Sequence, residues 1–112
     1  MSDYVDGRDS GGTGMSAGNP VHTLYIGSPD GNSFGSADRT AVVENLSSCF
    51  ASFTINDAQG FFEGRPVATL IVSIATRDTP VVEEVARSIG QKLGQQKIGL
   101  ELKGLYQSIS MD

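Results

Sequence analysis

The sequence predicts a single α+β domain with the element order βαββαβ, a four-stranded antiparallel sheet with two helices on one face. Three observations lead there. Residues 21–28 and 52–75 alternate apolar and polar side chains with the period of half-buried strands. Residues 38–50 and 79–93 repeat apolar side chains at helical spacing. The order in which these stretches follow one another is that of a split pair of βαβ units.

The bulk composition narrows the function classes. At 112 residues the chain suits one domain. Its 14 glycines dilute the hydrophobic share to 38%, yet the Val, Ile, Leu and Phe that follow the first strand suffice for a core. Eight basic against thirteen acidic residues give a formal charge of −5. Nucleic-acid binding wants a clustered basic stripe, whereas the arginines and lysines here are scattered and outnumbered. The single cysteine cannot form an internal disulfide, and no His/Cys spacing suits zinc. No stretch reaches the ~20 apolar residues of a membrane span, and the first residues show no signal-peptide core. The expectation is a cytoplasmic protein without nucleic-acid or membrane partners, metal or cofactor.

In chain order, residues 1–20 offer little to bury and read as a flexible tail, with Tyr4 and Val5 as its plausible anchors. VHTLYIGS (21–28) is the first strand, Leu24 and Ile26 on one face and Val21, Thr23 and Tyr25 on the other. His22, the one histidine, reads as a surface or edge-strand residue. Gly27–Ser36 is a loop full of turn formers that leads into a helix, with Phe34 tucking it onto the body. In that helix (38–50) Val42, Val43, Leu46, Cys49 and Phe50 form the apolar face; Ser36 reads as its N-cap and Cys49 as a small core residue.

Residues 52–75 read as a hairpin at the centre of the sheet, turning at Glu63-Gly64-Arg65-Pro66. Gly60 implies a bulge or a close backbone approach. In the second strand Leu70, Val72 and Ile74 share one face, Thr69 and Ile71 the other. Thr79-Pro80 reads as cap and first residue of the second helix, whose stripe is Val82, Val85, Ala86, Ile89 and Leu93, with Gly94 as its stop. Residues 97–107 read as the last strand, closing a domain of residues 21–107, and 108–112 as a frayed end.

This order is that of the ferredoxin-like fold. Within it the chain, through TINDAQGFFEG leading into VATLIVSIA over residues 21–107, resembles the small PII-like regulators. The resemblance implies a homo-oligomer, dimer or trimer, that binds a nucleotide or other small anion between subunits and meets a partner protein through the loop after its second strand. The short turn here and the lack of a basic phosphate-gripping cluster depart from that pattern.

Three functions follow as expectations. The first is a non-enzymatic, homo-oligomeric regulatory or binding protein. Its anion site would be the loop residues Gly27, Ser28, Gly31 and Gly35 with Arg39 and Arg65, because a glycine-rich loop entering a helix presents N–H groups to an anion. The glycine spacing matches neither the dinucleotide nor the P-loop pattern. Phe61, Phe62, Glu63 and Arg65 would meet the partner. The second is a small dimeric αβ-barrel enzyme using His22, Tyr25, Asp57, Glu63 or Arg65 for acid–base work. The third is an interaction or inhibitor protein acting on a larger assembly through the hairpin tip and the acidic surface.

Overall fold

The structure, a computed structural model, describes residues 18–111. The expected anchors Tyr4 and Val5 lie outside the described residues. The elements are β1 (Val21–Gly27), α1 (Ser36–Ser47), β2 (Thr54–Phe62), β3 (Arg65–Ala75), α2 (Thr79–Leu93), β4 (Lys97–Leu102) and β5 (Leu105–Ser110). They form two helices and a five-stranded sheet of order β2-β3-β1-β4-β5, antiparallel at every pairing.

The core lies between one face of this sheet and the helices. Leu24 and Ile26 of β1, Leu70, Val72 and Ile74 of β3, Ile98 and Leu100 of β4 and Ile109 of β5 supply the sheet side. Val42 and Leu46 of α1 and the full α2 stripe of Val82, Val85, Ala86, Ile89 and Leu93 supply the other. Each such aliphatic side chain contributes roughly 1.5–3 kcal/mol on burial. The expected alternation in β1 and β3 therefore holds, and the face of Tyr25, Thr69 and Ile71 is the one turned away from the helices.

α2 is specified at both ends. The Asp78 carboxylate accepts from the Val81 N–H at 3.4 Å, so Asp78 is the N-cap and Thr79 the first helical residue, not the cap. The threonine hydroxyl is engaged elsewhere, 2.8 Å from His22 Nε2. At the far end Gly94 is left-handed at φ 71, and Gln95 N and Gly94 N donate to Gly90 O and Gln91 O, a Schellman closure. Gly90 has a second use: a Cβ there would run into Met111.

Several expectations change. The sheet has five strands, because residues 97–110 fold back on themselves at Lys103-Gly104, both left-handed at φ 55 and 78. Ile109 is buried and Met111 N donates to Gln96 O at 2.9 Å, so residues 108–111 are packed rather than frayed. The centre of the sheet is β1, hydrogen-bonded on both sides, and the β2–β3 hairpin lies to one side with β2 at the edge. That hairpin turns on two residues, Glu63-Gly64, with φ 51 and 79, the pair of left-handed residues that the twist of two-residue hairpins favours.

Other corrections concern single side chains. His22 shares the core-facing parity of Leu24 and Ile26 and is 0% exposed. α1 begins at Ser36 after an N-cap at Gly35 that makes no side-chain bond, and it ends at Ser47. Cys49 thus falls past the helix and is exposed, and Val43 is exposed at 42%. Gly60 sits in unbroken register opposite Val67, so it marks close approach and not a bulge: a Cβ there would stand 3.0 Å from Thr69 Oγ1.

Because Leu24 is fully buried on a strand packed against α2 and paired on both edges, Leu24→Ala is expected to cost about 2–5 kcal/mol. Val21→Ala, at the exposed start of the same strand, should stay within about 0.5 kcal/mol. Urea unfolding of the two variants beside the parent measures both.

Candidate functional site

The loop between β1 and α1 is built around Asp30. Its carboxylate accepts from Asn32 N at 2.8 Å, Ser28 Oγ at 2.8 Å and Ser33 N at 3.3 Å. The Asn32 amide, then the Ser28 hydroxyl and the Ser33 amide, hold this carboxyl below the ordinary aspartate range. Two further bonds tie the loop to β3: Ser28 N to Ala68 O at 2.9 Å and Ala68 N to Gly31 O at 3.2 Å. Phe34 packs against the core as expected.

This arrangement bears directly on the expected anion site. The donors that a glycine-rich loop would offer an anion, Asn32 N and Ser33 N, are taken by the chain's own carboxylate. Arg39, one turn into α1, is ion-paired with Asp57 of β2. Gly35 caps the helix, and its carbonyl accepts from Arg39 N at 3.1 Å. Arg65 lies exposed beside the hairpin turn. Of the six residues, only Gly27 and Ser28 border the same cleft, with Gly31 facing a separate hollow beside Ala58 and Pro66.

The cleft that Gly27 and Ser28 border has a volume of about 700 Å³ and opens where β1 ends. Its floor is the helix-free face of the sheet, where Gly60, Gly27 and Gly99 leave the backbone bare beside Tyr25, Val67 and Thr69. One wall is the end of β2 with Phe61 and Phe62, 70% and 67% exposed. The other is the α2–β4 connection, Gly94–Lys97, where Gln95 is fixed by an Nε2–H bond to Gly27 O at 2.9 Å. Tyr25 donates its hydroxyl proton to Glu101 Oε1 at 2.6 Å, placing a phenol and a carboxylate on the floor's edge.

Chemically this is a slot with the rings of Tyr25 and Phe62 on its face, a floor of peptide groups and few charges, Phe61 having the opposite strand parity. The strand parity put Tyr25 and Thr69 on this face and TINDAQGFFEG named the phenylalanines. Gln95 and Gly99 were missed, because Gly99 reaches the cleft only through the antiparallel pairing of β4 with β1 and Gln95 through its bond to Gly27 O; Glu101, beside the cleft, was missed for the same reason as Gly99. Of the expected acid–base residues, His22 lies on the opposite face with no solvent exposure, Asp57 is paired with Arg39, and Glu63 and Arg65 are exposed at the turn. Among the described residues no group of three His, Cys, Asp or Glu is placed to hold a metal ion, and no helix is long and apolar enough to cross a membrane.

No family model matches the chain, and no curated protein matches it in sequence. Solved structures do match in shape. A phage SAM lyase in complex with S-methyl-5'-thioadenosine superposes with a TM-score of 0.54 at 10% identity, over 90% of this chain and 96% of that one. The same enzyme's apo state gives 0.55 at 12% identity over the same shares. The likeness is one of fold.

The Asp30 cage makes a pH-dependent prediction. Its folded pKa is depressed, so its stabilisation of the loop is complete above the unfolded value of about 3.9 and is lost as pH falls through the lower folded value. Amide signals of Asn32 and Ser33 should titrate below pH ~3.9. In Asp30→Asn that transition should vanish and both amides should exchange faster with solvent, as NMR would show.

Proposed function

We propose that the protein is a homo-oligomeric, ferredoxin-like binding protein, related in plan to the PII-like regulators, whose cleft takes a nucleoside-type ligand. The strand order β2-β3-β1-β4 with both helices on one face supports the ferredoxin-like reading, with β5 as an added hairpin partner at the edge. The observation that carries the reading is the slot itself. The exposed Phe62 ring and Tyr25 share the face of a glycine floor, with Thr69 and Gln95 at its margins. Aromatic rings stack on planar bases for roughly 1–3 kcal/mol per base, and bare peptide groups let a ring approach closely. The fold neighbour's ligand, an adenosine thioether, belongs to the class such a slot suits.

Assembly fits the same surface. Phe61 and Phe62 are wetter than a lone domain usually leaves two adjacent large rings, and the sheet face beside them carries no helix. A second copy laid on this face would shelter the Phe62 ring and roof the slot. The nucleoside would then be bound between subunits.

A second reading, an enzyme acting on S-adenosylmethionine, has one observation in its favour. The Tyr25–Glu101 pair supplies a carboxylate and a phenol beside the slot, groups suited to a sulfonium cation and its departing chain. S-methyl-5'-thioadenosine is the thioether that remains when that chain leaves.

Calorimetry with S-methyl-5'-thioadenosine tests the binding reading. A saturable heat is expected, weakened tenfold or more in Phe62→Ala, and light scattering should give a mass of two or three chains. No heat together with a monomer mass would overturn it. Chromatography of a mixture with S-adenosylmethionine separates the two readings: release of the thioether, lost in Glu101→Gln, marks the enzyme, and intact S-adenosylmethionine leaves the binding protein.

A further inference from the structure

The cleft wall formed by Gly94–Lys97 is held from behind by a residue that does not line the cleft. Met111, just past β5, donates its N–H to Gln96 O at 2.9 Å. Gln96 stands in the wall beside Gln95, whose own N–H closes the end of α2 on Gly90 O. One backbone bond therefore ties the segment after β5 to the wall.

The Met111 side chain is seated on the same turn of α2. Gly90 is buried there, and its bare Cα leaves a notch that the thioether fills: a methyl group on Gly90 would collide with Met111 Sδ and stand 2.9 Å from Cε and 3.1 Å from Cγ. An unbranched, flexible thioether suits so narrow a gap. Met111 packs on the core yet is only half-buried, so a small solute can reach it. It is the one methionine among the described residues.

The same fit makes the contact sensitive to oxidation. Hydrogen peroxide transfers one oxygen atom to a thioether. The sulfur lone pair forms the S–O bond, the O–O bond breaks, and after proton transfer the second oxygen leaves as water. Sulfur loses two electrons and the peroxide gains them. The new oxygen is polar and widens the side chain at the atom seated over Gly90, so the sulfoxide is drawn out to water.

We propose that Met111 is a redox-sensitive latch on the cleft wall. As a thioether it seats on Gly90 and holds its N–H on Gln96 O; as a sulfoxide it leaves the notch and frees Gln96. β5 stays paired, because Ile109 is buried and the β4–β5 ladder ends at Ser110. A thiol-dependent sulfoxide reductase, supplying two electrons and two protons, restores the thioether and releases water. The consequence for ligand affinity rests on the cleft being the nucleoside site; the latch itself does not.

The test uses the full chain carrying Cys49→Ser, which removes the exposed thiol as a second target for peroxide. After treatment with hydrogen peroxide, mass spectrometry confirms the sulfoxide at Met111 and NMR follows amide exchange. The Met111 amide is expected to exchange about fivefold or more faster than before, as for one lost hydrogen bond, while the β4–β5 ladder keeps its protection. Met111→Gln, polar and without sulfur, should exchange fast with no peroxide added. Met111→Leu should stay slow before and after peroxide, although Met1 and Met15 remain in that chain. Calorimetry with S-methyl-5'-thioadenosine should show binding weakened about fivefold by oxidation. Unchanged Met111 exchange in the sulfoxide form, or peroxide-driven fast exchange in Met111→Leu, would overturn the latch. Thioadenosine affinity that oxidation leaves unchanged would overturn its link to the cleft. No binding by the untreated protein would count against the nucleoside site instead, with the amide exchange still deciding the latch.

Discussion

The burial of one face of β1 is the constraint on which the rest of the structure depends. β1 is the only strand hydrogen-bonded to β3 on one edge and β4 on the other, and its inward side chains His22, Leu24 and Ile26 are all fully buried. Every pairing in the sheet is registered, directly or through one neighbour, to this strand. Its outward side chains are placed by the same register, which is why Tyr25 and Gly27 sit in the floor of a cleft. Packing on one face thus fixes chemistry on the other.

His22 shows how a polar group can be held at such a centre. Its Nε2 bond to Thr79 joins the middle strand to the start of α2, and removing the threonine oxygen would leave a buried nitrogen with a desolvation cost of roughly 1–3 kcal/mol. One residue earlier, Asp78 closes the first turn of that helix, its carboxylate accepting from the Val81 N–H.

How much of this could be read from the sequence depends on how local the cause is. The α2 stripe and the alternation of β1 and β3 were legible because period and parity are properties of a short window. Parity also placed His22 with Leu24 and Ile26, but the polarity of an imidazole argued for the surface, and only the distant Thr79 resolves the conflict. The central place of β1 was not legible: β1 and β3 look alike in pattern, and strand order is set by pairing across long separations. β5 was missed because its turn, Lys103-Gly104, lacks the Asn or Asp that advertises a two-residue hairpin. The cleft was legible only in its Phe61 and Phe62 wall and in the outward side of Tyr25, since Gln95 and Glu101 arrive from segments far along the chain. In the glycine loop the engagement of the Asn32 and Ser33 amides was not legible either, since it depends on Asp30, a residue whose carboxylate serves the loop itself.

The two-residue turn at Glu63-Gly64 has a consequence for how this fold can diversify. Phe62 pairs with Arg65 across that turn, and β3 is anchored by its contacts with β1, so any change in turn length is absorbed by β2. Adding one residue would slip β2 by one position, carrying the ring of Phe62 to the helix side and a different side chain to the slot. Adding two would restore the original side and lengthen the arm. The hairpin therefore offers descendants of this chain a choice by parity: odd insertions exchange the set of residues that meets a ligand, and even ones keep it.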